Sequence, residues 1–557
     1  MEKRLLLALV LAAIVIVVSQ KLFPTPTAAR RATADTIVTP RTDSQNQSPR
    51  VDSAQRTAIK DSILRDTSAL SERGTAPVGD TLTFVTPKAT YRFASLGAAP
   101  LDVVLNDYHT LPGSTRNVVL GRPGIRLLSY ELVSAKDTIR LDRVKFAVDS
   151  SNVSSKAAVT FSAEVKNTRV SLAYIFAPDG YLANVRGSVT GADSSAELLI
   201  RLHQGLPFVE ADSSDDLRDL AYVVKPVRDG ANSIPFSKLD SLAPKIESEP
   251  LAWVASKNKY FLLALIPQTP AQPFSAAVFT RGLHQPKAVA AADGLVLQPL
   301  TKSGEFGFQM YAGPQEWRRL HQMGQDLDHV NPYGGILRAF VQPFANVVMQ
   351  VLLWIHDGLR INYGWVLIIF GVTVRILLWP LNQGAMRNSL KLQRIQPQLQ
   401  EIQKRYKTQP EKLQSEMGKL YKDHGMSPFT PLAGCLPMLI PMPVLFALYF
   451  VFQNTIEFRG VSFLWLPDLS QRDPYFILPA MMGLSMYVLS WISLRASPPN
   501  PQAKMMAYLF PVMMVVFFWR LAAGLNLYYA VQNIATLPQQ WLIARERAKL
   551  TVTPASG

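Results

Sequence analysis

Cysteine is almost absent: the chain has one, Cys435, and it sits in an apolar run. That excludes an intramolecular disulfide, and it leaves no cysteine near the N-terminus to carry a lipid anchor. Histidine is scarce too, with seven in 557 residues, and His109, His203 and His284 are not spaced as ligands. There is no glycine-rich phosphate loop, no HExxH pair and no Cys/His cluster, so no nucleotide or metal cofactor is implied. Carboxylates are missing from every apolar run of the last third. A proton-coupled pump would normally place Asp or Glu inside such runs. No internal repeat of the kind that marks many transporters is present either.

What is present is size, basic charge and an uneven spread of apolar residues. At 557 residues the chain exceeds one ordinary domain. The formal net charge is +16, and much of it concentrates between Arg387 and Lys422, with Arg545, Arg547 and Lys549 after the last apolar run. Aromatic residues are not interleaved with these charges as nucleic-acid platforms require. Basic clusters beside apolar runs instead read as cytoplasmic membrane loops, so nucleic acid is not expected as a substrate.

The chain then divides by texture. Lys3 and Arg4 precede the apolar run Leu5 to Val18, which Leu22 and Phe23 lengthen. Residues 1–23 are thus either a cleaved leader or a retained signal-anchor helix, and in both cases the residues after them are exported. Residues 24–79 are rich in Thr, Ser, Ala, Arg and Asp, too polar to bury a core, and read as a disordered periplasmic linker. Residues 80–316 alternate in short stretches broken by turn residues, such as Val170 to Phe176 and Phe261 to Ile266, the signature of a β-sandwich. Residues 317–362 read as connecting and interfacial amphipathic helices. Residues 363–547 hold five spans, at about 363–381, 428–453, 475–494, 505–519 and 524–542, and a short tail covers 548–557. With the first helix retained, both termini and the charged loops fall in the cytoplasm.

Three features of this region point to function. The loop 385–426 reads as a helical hairpin. Leu392, Ile395, Leu399 and Ile402 form one stripe, and Leu413, Met417 and Leu420 form another after the helix start at Thr408-Gln409-Pro410-Glu411. Such a hairpin can receive a partner, or merely be a solvated face. Arg375 is the one charged residue well inside a span, which makes it a functional candidate, although an arginine near the interface can also snorkel. In the last span Asn526, Tyr529, Asn533, Thr536 and Gln540 recur at three and four residues, a polar stripe at the depth of Arg375. The pair suggests a hydrated cavity open to the cytoplasm, with polar glue between helices as the alternative.

Several ordered motifs resemble one family. The span from Tyr363-Gly364-Trp365 through Arg375 to Trp379-Pro380-Leu381 resembles the arginine-bearing span of the YidC/Oxa/Alb insertases. Ser427-Pro428-Phe429 and Gly434-Cys435-Leu436-Pro437 resemble that family's Asn–Pro–Leu-like and Cys–x–Pro patterns, Phe463-Leu464-Trp465-Leu466-Pro467-Asp468-Leu469-Ser470 resembles its outer loop, and Gly524-Leu525-Asn526-Leu527-Tyr528-Tyr529 resembles the start of its last span. The exported β domain marks the Gram-negative form. This resemblance implies a multi-domain membrane protein: a periplasmic β-supersandwich, five core transmembrane helices and an N-terminal anchor helix in the bacterial inner membrane. It implies a non-enzymatic insertase and chaperone for nascent inner-membrane proteins, working alone or beside the Sec translocon. Membrane lipids, the ribosome and the signal recognition particle pathway would be further partners. The groove residues would be Arg375, Thr373, Asn526, Tyr529, Asn533 and Thr536. The chain departs from the family at Gly371, where a hydroxyl residue is frequent, at Pro441, where some relatives carry glutamine, and in its short, mildly basic tail. The competing readings are a solute transporter with a periplasmic domain and a membrane-anchored carbohydrate enzyme.

Overall fold

The computed structural model describes residues 79–551 apart from 111–113, 135–136, 150–157, 179, 193–195, 211–216, 242, 282–290, 332–337, 425–441 and 496–500. The expected anchor 1–23, nearly all of the linker, the first part of the run 428–453 and residues 552–557 of the tail lie outside the described residues. So do Cys435 and His284. The chain divides into two compact units. One holds the described residues up to Pro343 together with Phe450–Gln471; the other holds Phe344–Tyr449 and the residues from Arg472 onward.

The first unit is built from β1 (Thr81–Val85), β2 (Ala89–Ala94), β3 (Ala99–His109), β4 (Asn117–Leu120), β5 (Leu128–Val133), β6 (Thr138–Arg140), β7 (Ala147–Asp149), β8 (Ala158–Val165), β9 (Thr168–Phe176) and β10 (Leu182–Thr190). It continues with β11 (Glu197–Leu202), β12 (Ala221–Pro226), β13 (Asn232–Pro235), β14 (Lys245–Glu247), β15 (Leu251–Lys257), β16 (Phe261–Pro267), β17 (Ala276–Thr280), β18 (Asp293–Pro299) and β19 (Glu305–Pro314). They form three sheets: β1-β2-β3-β4, the nine-stranded β13-β12-β15-β16-β19-β10-β9-β8-β7, and the six-stranded β14-β17-β18-β11-β5-β6. Alternation decides which face each strand buries. In β9, Thr168, Val170, Leu172, Tyr174 and Phe176 point inward while the residues between them stay partly or fully exposed. Strand β16 is buried at every position, as a strand covered on both faces must be.

One core joins all three sheets and is strongly aromatic, with Trp253, Tyr91, Tyr130, Tyr174, Tyr222, Tyr260 and Tyr311 fully buried. A buried phenol needs a partner for its hydroxyl. Tyr174 donates to the carbonyl of Ala98 at 2.8 Å, which leaves Tyr130, 2.8 Å away, to donate to Tyr174. Tyr91 reaches Gly180 O at 2.8 Å and Tyr222 reaches Ala292 O at 2.6 Å. Each large ring contributes roughly 1.5–3 kcal/mol of apolar burial, so the unit needs no disulfide.

Helix α1 (Trp317–Met323) closes the β unit, and α2 (Arg338–Leu359) follows. The second unit continues with α3 (Tyr363–Arg405), α4 (Pro410–Asp423), α5 (Met442–Asn454), α6 (Ile477–Arg495), α7 (Pro501–Phe518) and α8 (Ala523–Thr551). Asn362 caps α3 by accepting from Gly364 N at 2.8 Å. Asp473 caps α6, accepting from Tyr475 N at 3.0 Å and Leu478 N at 2.7 Å. Sequence reading separates the span ending near 381 from a hairpin beginning at 385, but α3 runs unbroken for 43 residues, about 65 Å. The first arm of the hairpin is the continuation of that helix. Among the described residues, Ile477–Arg495 is the one helix long and apolar enough by itself to cross a membrane, with shorter apolar stretches at Tyr363–Trp379, Val444–Asn454 and Lys504–Phe518.

Candidate functional site

Helix α8 packs against both α3 and α6. Gly371 permits the close approach of α3: a Cβ there would lie 3.2 Å from Val531 Cγ1 and 3.5 Å from the ring of Tyr528. Two amides of α8 then engage α3. Gln532 Nε2 donates to the carbonyl of Gly371 at 2.8 Å, and Gln539 accepts a hydrogen bond from Arg375 Nη2. Gln539 also points its amide nitrogen at Trp379 O, 3.4 Å away. Residue numbers rise together along these contacts, from Gly371 with Gln532 to Trp379 with Gln539, so α3 and α8 run parallel.

Arg375 is half-buried, and Gln539 is almost completely buried at 3% exposure. The Nε of Arg375 is enclosed and has no hydrogen-bond partner among the described residues, and no described carboxylate forms an ion pair with this guanidinium. A neutral amide therefore orients the side chain without cancelling its charge.

The other candidates fall into separate groups. Asn526 is fully buried and donates to Phe518 O at 3.1 Å, tying the start of α8 to the end of α7. Tyr529 sets its ring edge-on against Phe518 at 4.8 Å. Thr536 donates back to Gln532 O at 2.6 Å, and Thr373 is exposed on α3. Asn533 is half-buried, with its Nδ2 enclosed and no partner among the described residues. The residues facing Arg375's helix are Gln532 and Gln539, which sequence reasoning missed. Their signal was available, because Tyr528, Gln532 and Gln539 lie one residue out of phase with Tyr529, Asn533 and Gln540, about 100° around the helix.

In the hairpin, Ile395 and Leu399 of α3 bury against Tyr421 of α4, with Met417 and Leu420 partly buried beside them. Ile402 and Leu413 are half-buried, and the side chain of Leu392 lies outside the described residues. Tyr421, one residue past the expected stripe, was also missed.

The β unit offers less chemistry. Ser129 Oγ and His203 Nε2 are 2.7 Å apart, but Ser129 is buried and His203 half-buried, and burial pushes the imidazole down to about 3, so it stays neutral. A cavity of about 520 Å3 on the nine-stranded sheet is lined by Ser171, Arg186, Ser188, Gln268, Gln272 and Glu305 among others, without the paired acids of sugar hydrolysis. Among the described residues no three of His, Cys, Asp or Glu gather as a metal set.

Comparison with known proteins agrees with this division. Residues 81–347 match the family described as the YidC periplasmic domain, and residues 354–550 match the 60Kd inner membrane protein family. The two matches define an inner-membrane protein with a β-rich periplasmic domain ahead of a helical C-terminal region. The membrane protein insertase YidC of Chlorobaculum tepidum is 30% identical over 416 residues, 69% of this chain and 67% of the relative. That of Chlorobium limicola is 28% identical over 495 residues, 81% and 83% of the two chains. The chain belongs to the YidC family of membrane protein insertases. A crystal structure of an active YidC insertase with its first transmembrane domain resolved covers 90% of this chain and 99% of its own, at 16% identity and a TM-score of 0.34.

Proposed function

We propose that this protein inserts integral membrane proteins into the bacterial inner membrane and assists their folding, using Arg375 as a fixed positive charge in a polar groove between helices. It acts both alone and with the Sec translocon, and no step needs a cofactor. The observation that carries this reading is the pairing of Arg375 with Gln539 in place of an acid. A cation in an apolar bundle that lacks a counter-charge attracts one that arrives with a substrate, such as the acidic tail of a nascent chain. A polar lining also lowers the cost of carrying backbone and polar side chains through hydrocarbon.

The topology in this reading has five core spans, near 363–381, 428–453, 475–494, 505–519 and 524–542, after an N-terminal anchor, with both termini in the cytoplasm. The parallel course of α3 and α8 supports it. So do two i,i+4 pairs at helix ends: the Arg495 guanidinium lies 3.8 Å from the centre of the Trp491 ring, and that of Arg545 lies 3.5 Å from Trp541. Tryptophan with arginine one turn beyond suits a cytoplasmic interface. Exposed Met481, Leu484, Leu509, Val512 and Val516 give α6 and α7 surfaces suited to lipid. The hairpin 385–426 would receive incoming chains, with the ribosome and the signal recognition particle pathway as upstream partners.

The test is insertion itself. The full chain in liposomes receives a newly made single-span protein with a short acidic tail, and protease protection of the tail is read. Protection should exceed that of empty liposomes and fall severalfold for Arg375→Ala. Folded protein that protects no tail above the empty-liposome level refutes the insertase reading, and protection unchanged in Arg375→Ala refutes the charge mechanism.

A further inference from the structure

The segment Phe450–Gln471 comprises the last turn of α5 and the stretch that leads from it to α6, yet it folds as part of the β unit. Ile456 enters the core of that unit, and Phe458 is fully buried with its ring 4.6 Å from Phe452. Glu457 accepts a hydrogen bond from Trp317 N at 3.0 Å, at the start of α1. Arg459 reaches furthest. Its Nε donates to Glu210 Oε1 at 2.8 Å, with the two side chains 10% and 3% exposed, and its Nη2 donates to His109 O at 2.6 Å. Its guanidinium also lies over the rings of Tyr260 and Phe261, 5.8 Å and 5.6 Å from their centres.

One side chain thus holds the end of β3, the loop after β11 and the turn between β15 and β16. A surface loop needs none of this: an exposed arginine would be solvated and its ion pair nearly worthless. Desolvating an ion pair is costly, and the cost is offset only where the charge has several partners, as it has here in a carboxylate, a carbonyl and two aromatic faces. The strongest polar contacts of the segment are concentrated on its one arginine.

We propose that Arg459 and Glu210 are positioning residues for insertion. Their contact moors to the β strands the last turn of α5 and the stretch that leads from it toward α6 in sequence. The proposal rests on the insertase reading given above. It assigns the β unit a mechanical part in insertion and predicts that loosening the mooring impairs insertion even when the β unit stays folded.

The experiment uses the full chain in liposomes, with two readouts on the same preparation: amide hydrogen exchange across 456–463 and protease protection of a single-span substrate. Arg459→Ala should accelerate exchange there by about tenfold, the loss of roughly one charged hydrogen bond, and lower insertion about threefold. Arg459→Lys, which keeps the charge but not the two separate donor nitrogens of the planar fork, should fall between Arg459→Ala and wild type in both. Gly304→Ala, which strains the turn between β18 and β19 against Val189 O, controls for general destabilisation and should leave insertion at the wild-type level. Faster exchange in Arg459→Ala with wild-type insertion overturns the proposal, as does insertion lost equally in Gly304→Ala. Wild-type protein that is folded but inserts nothing overturns the insertase reading instead.

Discussion

Replacing Glu457 by glutamine should change how the segment 450–471 responds to pH. The carboxyl is enclosed, and one oxygen accepts from Trp317 N while Oε2 has no partner among the described residues. Burial is the largest influence on this group and pushes it from 4.5 up to about 7; hydrogen bonds from its own backbone and Trp317 oppose the shift, nearby Glu316 adds to it, and Arg318 opposes it. The folded-state value is the raised one. The contribution to stability is therefore complete below about 4.5, declines as pH rises, and is gone above about 7. The difference of 2.5 between the two values, at about 1.36 kcal/mol per unit, makes the loss about 3 kcal/mol.

Glutamine keeps the acceptor for Trp317 and removes the titration, but it buries an unsatisfied NH2 where Oε2 now lies, a cost of about 1–3 kcal/mol. The variant should then be less protected than wild type at pH 5 and equally or better protected at pH 8, and the two profiles should converge or cross. Global melting is the wrong assay, because His203 in the same unit works in the opposite sense. Its imidazole, pushed down to about 3, favours the folded state above pH 6.5 and loses that contribution as pH falls. Amide exchange of the segment, corrected for the intrinsic pH dependence of exchange, isolates Glu457. Wild-type protection that is equal at pH 5 and pH 8, or a glutamine variant with the wild-type slope, would refute the reasoning.

Other perturbations probe the remaining parts. Gly304 has φ +77°, and a Cβ there would lie 2.0 Å from Val189 O; Gly304→Ala should cost about 2–4 kcal/mol and lower the melting temperature of the β unit by roughly 5–10 °C, measured by calorimetry. Leu399→Asp places a charge between Ile395 and Tyr421, so protease should cut α4 several times faster while exchange in α6 and α8 stays unchanged. Gln539→Glu supplies Arg375 with the counter-charge it lacks, and insertion of an acidic tail should fall toward the level of Arg375→Ala while a neutral tail is unaffected. Wild-type insertion of the acidic tail by that variant would refute the charge argument.

Much of the β unit is legible in the sequence because its cause is local. Val170 to Phe176 and Phe261 to Ile266 read as strands from alternation and from continuous apolar character, and they form β9 and β16. The hairpin's second helix begins at Pro410, where proline costs nothing because the first-turn N–H groups are unpaired anyway. The unbroken course of α3 is not legible. Trp379-Pro380 reads as an end, whereas the run of Arg, Leu, Lys and Gln beyond it favours continued helix strongly enough to offset one lost hydrogen bond. Nor can periodicity show which polar stripe of α8 faces α3. Stripes one residue apart have identical spacing, and packing against Gly371 decides between them. The roles of Glu457 and Arg459 depend on partners between 140 and 350 residues away, so their residues alone look like ordinary loop charges.

In the charge mechanism proposed above, the amide beside Arg375 orients the guanidinium and leaves its charge available. A carboxylate at Gln539 would orient the guanidinium equally well, but the pair would be neutral and would present little field to an incoming chain. A hydrophobe would leave the charge uncancelled and the side chain free to swing toward water. The amide accepts one hydrogen bond and leaves the net charge intact. At about 4 Å and an effective dielectric constant near 20, that charge attracts an approaching carboxylate by about 4 kcal/mol. This is enough to bias where a polar tail rests, yet far short of a trap, since a tail held more strongly would be released slowly. The same logic accounts for Gln532, which binds the backbone of α3 at Gly371 with a neutral donor. It fixes the helix pair without adding a second charge.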